Sequence, residues 1–226
     1  MALIGKAALA MWWDMAPAMR HEFEDWHSHE HFRERLAIPG FLRASRWSGS
    51  DGGEAVFQIY ELEAHETLSS PDYLACLNSP SPWSKKMMPH HRNMVRSQCR
   101  VMQSAGSHLA RHALTIRLSP ALGRELALQL TLNEIALSLI DRPGCVGAHL
   151  LRHVAPAIPL TVEQKLRGAD QFADWVFIVN GYDESALKAI ALGELAPEAL
   201  AQSGAVPDAK SGMYTLSLSA IPAELF

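Results

Sequence analysis

A Pro-Gly pair occurs twice in this chain, each time between a helical pattern and a strand pattern, and that recurrence constrains the fold more than any other feature. The segments are Ile38-Pro39-Gly40-Phe41 through Arg46 and Arg142-Pro143-Gly144-Cys145 through Arg152. Around the first pair, Ala7 to Asp14 reads as a strand, and Pro17 opens a helix where its missing N–H costs nothing. Phe41 to Trp47 and Ala55 to Leu62 are strands joined by the glycine-rich turn at 48–53. Ser69-Ser70-Pro71 caps a helix through Leu77, Pro80, Pro82 and Pro89 break the next stretch into turns, and Met94 to Gln103 is a last strand. Around the second pair the order returns: strand Ala113–Leu118, helix Gly123–Ile140, strands Cys145–Arg152 and Trp175–Asn180, helix Asp183–Leu195 with a short piece to Gln202, and strand Met213–Ser219. The order β-α-β-β-α-β thus appears twice, and shared punctuation points to an internal repeat.

Each βαββαβ unit covers one sheet face with its two helices and leaves the other bare, so two units packed sheet to sheet form a one-chain α/β barrel. By alternation, Trp12, Trp47, Phe57, Ile59, Ile116, Leu118, Phe177 and Val179 supply the interface. The units divide near Ser104–His108, giving a first domain over 1–105 and a second, divergent one over 106–226. The helix from Ala127 to Ile140 is apolar nearly all round, so a homodimer is expected through its outer side. The second hairpin connection, about Val154 to Phe172, is far longer than the first, a length that marks either a functional flap or a disordered excursion.

A net charge of −4 excludes the concentrated basic patch that nucleic acid requires. The one basic run, Lys85-Lys86 with Arg92, Arg96 and Arg100, suits an anion-lined pocket or a strand edge. Cys76, Cys99 and Cys145 are odd in number and widely spaced, which argues against a disulfide framework or zinc knuckle and for a reducing cytoplasm. The N-terminal apolar run ends in Trp12-Trp13 and reads as a strand, not a signal peptide. No stretch reaches the roughly 18 apolar residues of a membrane span.

The chemistry gathers in the first helix, Glu22-Phe-Glu-Asp-Trp-His-Ser-His-Glu-His-Phe-Arg-Glu-Arg35, which holds His27, His29 and His31. His27, Glu30 and His31 spell H-x-x-E-H, the inverted zinc-protease pattern. The pattern is short, arises easily in a histidine-rich segment, and lacks a third ligand, so no metal is expected. A solvated histidine-rich face is the plain alternative. On a regular helical wheel, Phe23, Trp26, Glu30 and Arg33 fall within about 40° of Met19. A carboxylate among apolar neighbours marks a pocket, with His27 and His31 flanking it and Arg33 as its local partner. The segment from Ser79 to Asn93, with Trp83, Met87 and Met88, reads as either a lid over an apolar ligand or a packed surface loop. No P-loop, GxGxxG or GxSxG is present.

The run from Glu24 to Arg46, with its W-H-x-x-E-H helix ending in Pro-Gly, resembles the dimeric α/β barrel superfamily, most of all its EthD-like and stress-responsive branches. Tyr60-Glu-Leu-Glu and Ser70-Pro-Asp-Tyr-Leu fit the same pattern, and the resemblance covers residues 7–103. It implies an α+β fold, two tandem ferredoxin-like βαββαβ units forming an intramolecular dimeric α/β barrel. It also implies a pocket between sheet and helices in which His31 is the polar residue, beside Glu30 and Trp26. The second unit has no W-x-x-x-E-H equivalent, offering Asn133 and Glu134 among leucines, so a working pocket belongs to the first half.

The expected function is an enzyme acting on a small organic metabolite, aromatic ones included, by acid–base chemistry: a lyase, isomerase or cofactor-free monooxygenase. His31, His27 and Glu30 are the expected catalytic residues, with Trp26, Arg33, Arg43, Trp83 and Arg96 binding substrate, no cofactor, and no nucleic-acid or membrane partner. The rivals are a non-catalytic small-molecule-binding or stress-responsive barrel and a haem or metal binder.

Overall fold

The computed structural model describes residues 3–49, 55–106, 108–168 and 170–224; the tip of the first hairpin turn, at 50–54, lies outside them. Eight strands close a barrel, because the last strand of each unit outgrows its own sheet. Strand β1 (Ala7–Met15), β2 (Phe41–Gly49), β3 (Val56–Leu62) and β4 (His91–Gly106) form the first unit. The second comprises β5 (His112–Leu118), β6 (Cys145–His153), β7 (Trp175–Gly181) and β8 (Lys210–Ala220). The first part of β4 pairs with β1, and from Cys99 onward it pairs with β6. In the same way β8 pairs with β5 through Thr215 and with β2 from Tyr214 to Ala220. The circular order is β1-β3-β2-β8-β5-β7-β6-β4, antiparallel throughout. No edge is left to pair with another chain.

Helices coat the outside. In the first unit α1 (Arg20–Trp26) passes through a π turn (His27–His31) into α2 (Phe32–Leu36), followed by α3 (Pro71–Asn78) and α4 (Pro82–Met87). The second carries α5 (Glu125–Leu139), α6 (Val162–Arg167), α7 (Glu184–Leu192) and α8 (Pro197–Ser203). Helix α4 is a departure from the sequence reading, which took Pro80, Pro82 and Pro89 as breakers. Pro82 instead starts the helix, and the Ser81 hydroxyl accepts from the Ser84 N–H at 2.9 Å.

Inside the barrel, Phe57 stacks between Trp12 and Trp47 with both ring centroids 5.1 Å away. Ile59 joins them from the first unit, and Ala113, Leu151, Val176, Ile178 and Tyr214 come from the second. The expected interface residues Ile116, Leu118, Phe177 and Val179 do not. They face outward and pack with Leu128 and Leu187 of α5 and α7. Every residue of β7 is buried, so alternation along that strand cannot say which face is which. Helix α5 buries Leu128, Leu132, Ala136 and Leu139, and leaves Leu126, Leu130 and Leu137 more than half exposed.

Both Pro-Gly turns have one physical cause. Gly40 and Gly144 sit at φ +89° and +92°, where side chains with a Cβ are strained. A Cβ on Gly40 would lie 2.7 Å from the Thr67 hydroxyl, and one on Gly144 2.5 Å from the Ala186 methyl. Gly40→Ala and Gly144→Ala should each cost about 1–3 kcal/mol, read as a fall in thermal midpoint. An unchanged midpoint in either variant would contradict this account of the repeat.

Candidate functional site

The π turn decides which residues of the first helix meet the sheet. The Phe32 N–H bonds to the His27 carbonyl, five residues back. The extra residue rotates everything after it by about 100° on the wheel. On a regular helix His31 would lie about 120° from Met19 and Arg35 about 160°; the π turn moves them to about 20° and 60°, and carries Arg33 away. Accordingly His31 and Arg35 are buried and Arg33 is exposed.

His31 lines a cavity of about 30 Å³ between the sheet and the helices, walled by Leu9, Met11, Tyr60 and Tyr73. That volume holds on the order of one or two waters. The His31 ring lies against Trp26, with centroids 4.5 Å apart, and its Nδ1 has no hydrogen-bond partner. Glu34 Oε2 stands 3.8 Å from that nitrogen, beyond hydrogen-bond reach. Burial, reinforced by the charge of Arg35, holds His31 well below the usual imidazole pKa. His27 stands behind it, 5.3 Å away by ring centroid, packed by Phe23 and Phe32. Burial also depresses His27, followed by the charges of Arg46 and His91, and its Nδ1 is unpartnered as well. Both imidazoles are therefore neutral at pH 7. His91, against Trp13 and Phe23, is pushed down to about 4 by burial and the Arg167 charge.

Glu30 turns away from the cavity. It accepts from Trp26 Nε1 at 3.1 Å and from the Ser81 hydroxyl, and so pins Trp26 to the start of α4. Ser84 Oγ also accepts from Trp26 Nε1, at 3.3 Å. Glu30 thus stays apart from the two imidazoles of the H-x-x-E-H pattern, and among the described residues no three His, Cys, Asp or Glu side chains could hold a metal.

The remaining expected residues separate. Arg96 is buried in the cavity wall and donates to the Tyr73 hydroxyl at 2.7 Å. Trp83 donates to Glu22 at 3.1 Å on the outer side. Arg43 pairs with Glu61 at 2.6 Å, and Glu61 lines a separate small cavity inside the barrel with Trp47, Phe57 and His149.

Two important residues escaped the sequence reading. Arg35 is one; without the π turn it belongs to the far side of the wheel. The other is Glu163, in the long second-unit connection. That connection forms α6, whose Thr161–Gln164 capping box was the available signal. The helix reaches across to the first unit, and Glu163, 2% exposed, pairs with Arg35, 3% exposed, over the cavity. Burial alone would pull the Arg35 pKa down; the Glu163 carboxylate, joined by Cys76, Tyr60 and Tyr73, more than offsets it and holds it up. Arg35→Met should therefore destabilise by about 3–5 kcal/mol in chemical denaturation, since it strands a buried carboxylate. A Glu163→Gln change added to it should recover part of that loss. If the single variant is as stable as the parent, the pair is not buried as described.

The chain matches no family model, and no curated protein sequence is similar to it. Solved structures superpose on nearly all of it. An anthrone oxidase-like protein does so with a TM-score of 0.66 at 11% identity, over 100% of this chain and 98% of that one. A putative monooxygenase from Fusobacterium nucleatum gives 0.61 at 8% identity, over 96% and 95%. Another from Lactobacillus acidophilus gives 0.60 at 10%, over 96% of each chain. The chain shares the fold of these proteins, an α/β barrel built from two ferredoxin-like units. Both ferredoxin-like units of the barrel lie within one polypeptide, and the candidate cavity draws on both: its base and walls come from the first, its cover from the second. The corresponding space beneath α5 is filled by Leu128, Leu132 and Leu139.

Proposed function

We propose that this barrel is an enzyme that moves a proton on a small organic, aromatic metabolite, with His31 as the base. The observation that carries the reading is a buried imidazole in the wall of a cavity that Tyr60 also lines, with the His31 Nδ1 and the Tyr60 hydroxyl both buried and without a hydrogen-bond partner among the described residues, and with burial holding the ring well below its usual pKa. A base of depressed pKa stays ready to accept a proton at neutral pH. In this reading Arg96 and Arg35 orient the substrate. Trp26 stacks on the His31 ring, and Glu30 is a positioning residue that acts through Trp26. His27 supports the base from behind. Arg33, Arg43 and Trp83 have no part in it.

Among lyase, isomerase and cofactor-free monooxygenase, the names of the similar structures favour the last. A phenol or enol that loses its proton becomes electron-rich enough to meet dioxygen without a cofactor, and the pocket supplies the proton acceptor. Oxygen uptake over a panel of hydroxylated aromatic acids tests this: uptake with at least one compound, absent in His31→Gln, is expected. Uptake equal in the two proteins would remove His31 from the chemistry. A non-catalytic barrel that sequesters its ligand is the second reading, favoured by the small size of the cavity; it predicts binding without any product. The exposed leucines of α5 fit the face of a homodimer, which a monomeric mass in sedimentation would refute.

A further inference from the structure

We infer that Arg35 is the anion-binding residue of the first-unit cavity, that Glu163 is its internal occupant, and that the site takes a small aromatic carboxylate which displaces α6 as it binds. The inference rests on the reading of this cavity as the working site, and it names the ligand class and the way in.

The cavity is lined by cations: Arg35 and Arg96 lie beneath the cover and Arg167 belongs to it, and among the described residues Glu163 is the one carboxylate in the lining. Arg167 has its own partner, with Nε and Nη2 donating to the two Asp170 carboxylate oxygens at 2.9 and 2.6 Å. Arg96 gives a nitrogen to the Tyr73 hydroxyl. Among the described residues, Arg35 has Cys76 Sγ, at 2.6 Å, as its one hydrogen-bond partner besides Glu163. Glu34, the other carboxylate close to Arg35, has a side chain 31% exposed. Withdrawing Glu163 with nothing in its place would leave a guanidinium buried without an anion, which is costly. Exchanging it for the carboxylate of a ligand preserves the charge, and a planar guanidinium matches a carboxylate with two parallel hydrogen bonds. A neutral ligand cannot make that exchange. Behind Arg35 the walls are Tyr60, Tyr73, Leu9 and Met11, suited to an aromatic body, and His31 lines the same space.

The cover is built to be displaced. Its ends are fixed: the Val154 N–H bonds to the Gln98 carbonyl at 2.8 Å, and Gln171 exchanges backbone bonds with Met94 and Arg96 at 2.9 and 2.8 Å. Between them, among the described residues, every backbone-to-backbone bond of 155–170 stays inside the segment. Beyond the ion pair, α6 is tied down by the Val162 N–H to Asn78 Oδ1 at 3.1 Å, by Arg167 Nη1 to Met88 Sδ at 3.9 Å, and by Leu166 packed on the core. Gly168, at φ +94° with nothing within 4 Å of where a Cβ would sit, ends the helix.

Benzoate is the probe, with benzyl alcohol as its neutral counterpart, both titrated by calorimetry. Glu163→Gln is expected to bind benzoate about tenfold or more tightly than the parent, since its internal competitor is gone. Benzyl alcohol should bind the two proteins alike. In the parent protein, where folding is not in question, benzoate should speed trypsin cleavage after Lys165 or Arg167, and benzyl alcohol should not. Equal or weaker benzoate binding by a folded Glu163→Gln, or cleavage unchanged or slowed by benzoate, overturns the inference. His31→Gln separates it from the catalytic reading: loss of turnover with benzoate binding intact supports both. Intact turnover with tighter binding by Glu163→Gln removes the base and leaves the anion site standing.

Discussion

Replacing His31 by Gln should lower turnover about 10²- to 10⁴-fold, the range that a positioned general base supplies, with little change in KM. The amide fills similar space and keeps a polar group against Trp26, but cannot accept a proton at neutral pH. His27→Gln should cost much less, because His27 lies behind His31 and does not line the cavity. The pH profile adds an independent check. A base held well below its usual pKa stays neutral as the medium is acidified, so kcat/KM should remain level through pH 6.5 and decline only at lower pH. A decline centred near 6.5 would mean that the working group is an ordinary solvated histidine.

Acid should unfold the protein unusually early, with a midpoint between about pH 4 and 6. His27 and His31 are buried well below their usual pKa; burial and the charge of Arg43 bring His149 down to about 3, and His91 sits at about 4. All four bind protons more readily in the unfolded chain. The stability they contribute is therefore whole above about pH 6.5 and is lost as pH falls through 6.5 toward their folded values. With each pKa unit worth about 1.4 kcal/mol, the step from pH 6.5 to 4 removes on the order of 3 kcal/mol through His149 alone, which is fully buried. Against a total stability of roughly 5–15 kcal/mol, the four together decide the outcome. His149→Gln should move the midpoint to lower pH, as it keeps an amide for Ser104 and Asn180 and discards the titration. A protein still folded at pH 3, or a midpoint unmoved in that variant, would contradict the assignment.

The strand and helix order could be read from the sequence because the Pro-Gly turns, apolar alternation and helix stops all point to the same places. Register failed where both faces of a strand are apolar, as for Phe177 and Val179 in β7. Ser81 and Pro82 carry the signature of a helix start, yet prolines on either side disguised it. In the candidate site, Trp26, His27 and His31 were visible as a cluster, and their burial agrees with a pocket in the first half. A regular wheel selected Arg33 in place of Arg35 and turned Glu30 inward, since nothing in the residue types announces a π turn. Glu163 was out of reach for a different reason: its partner lies 128 positions away, and only the closed barrel brings the second unit's connection over the first unit's helices.

The central claim is that His31 is a neutral imidazole sealed beneath a cover supplied by the other half of the barrel. Nitrogen-15 NMR of the His31 ring across a pH titration tests it directly. The account predicts neutral-imidazole shifts from pH 8 down to the onset of acid unfolding, with no titration near the ordinary pKa of about 6.5. A ring that titrates reversibly at or above that value in the folded protein would place His31 in solvent or against an anion, and the site described would not exist.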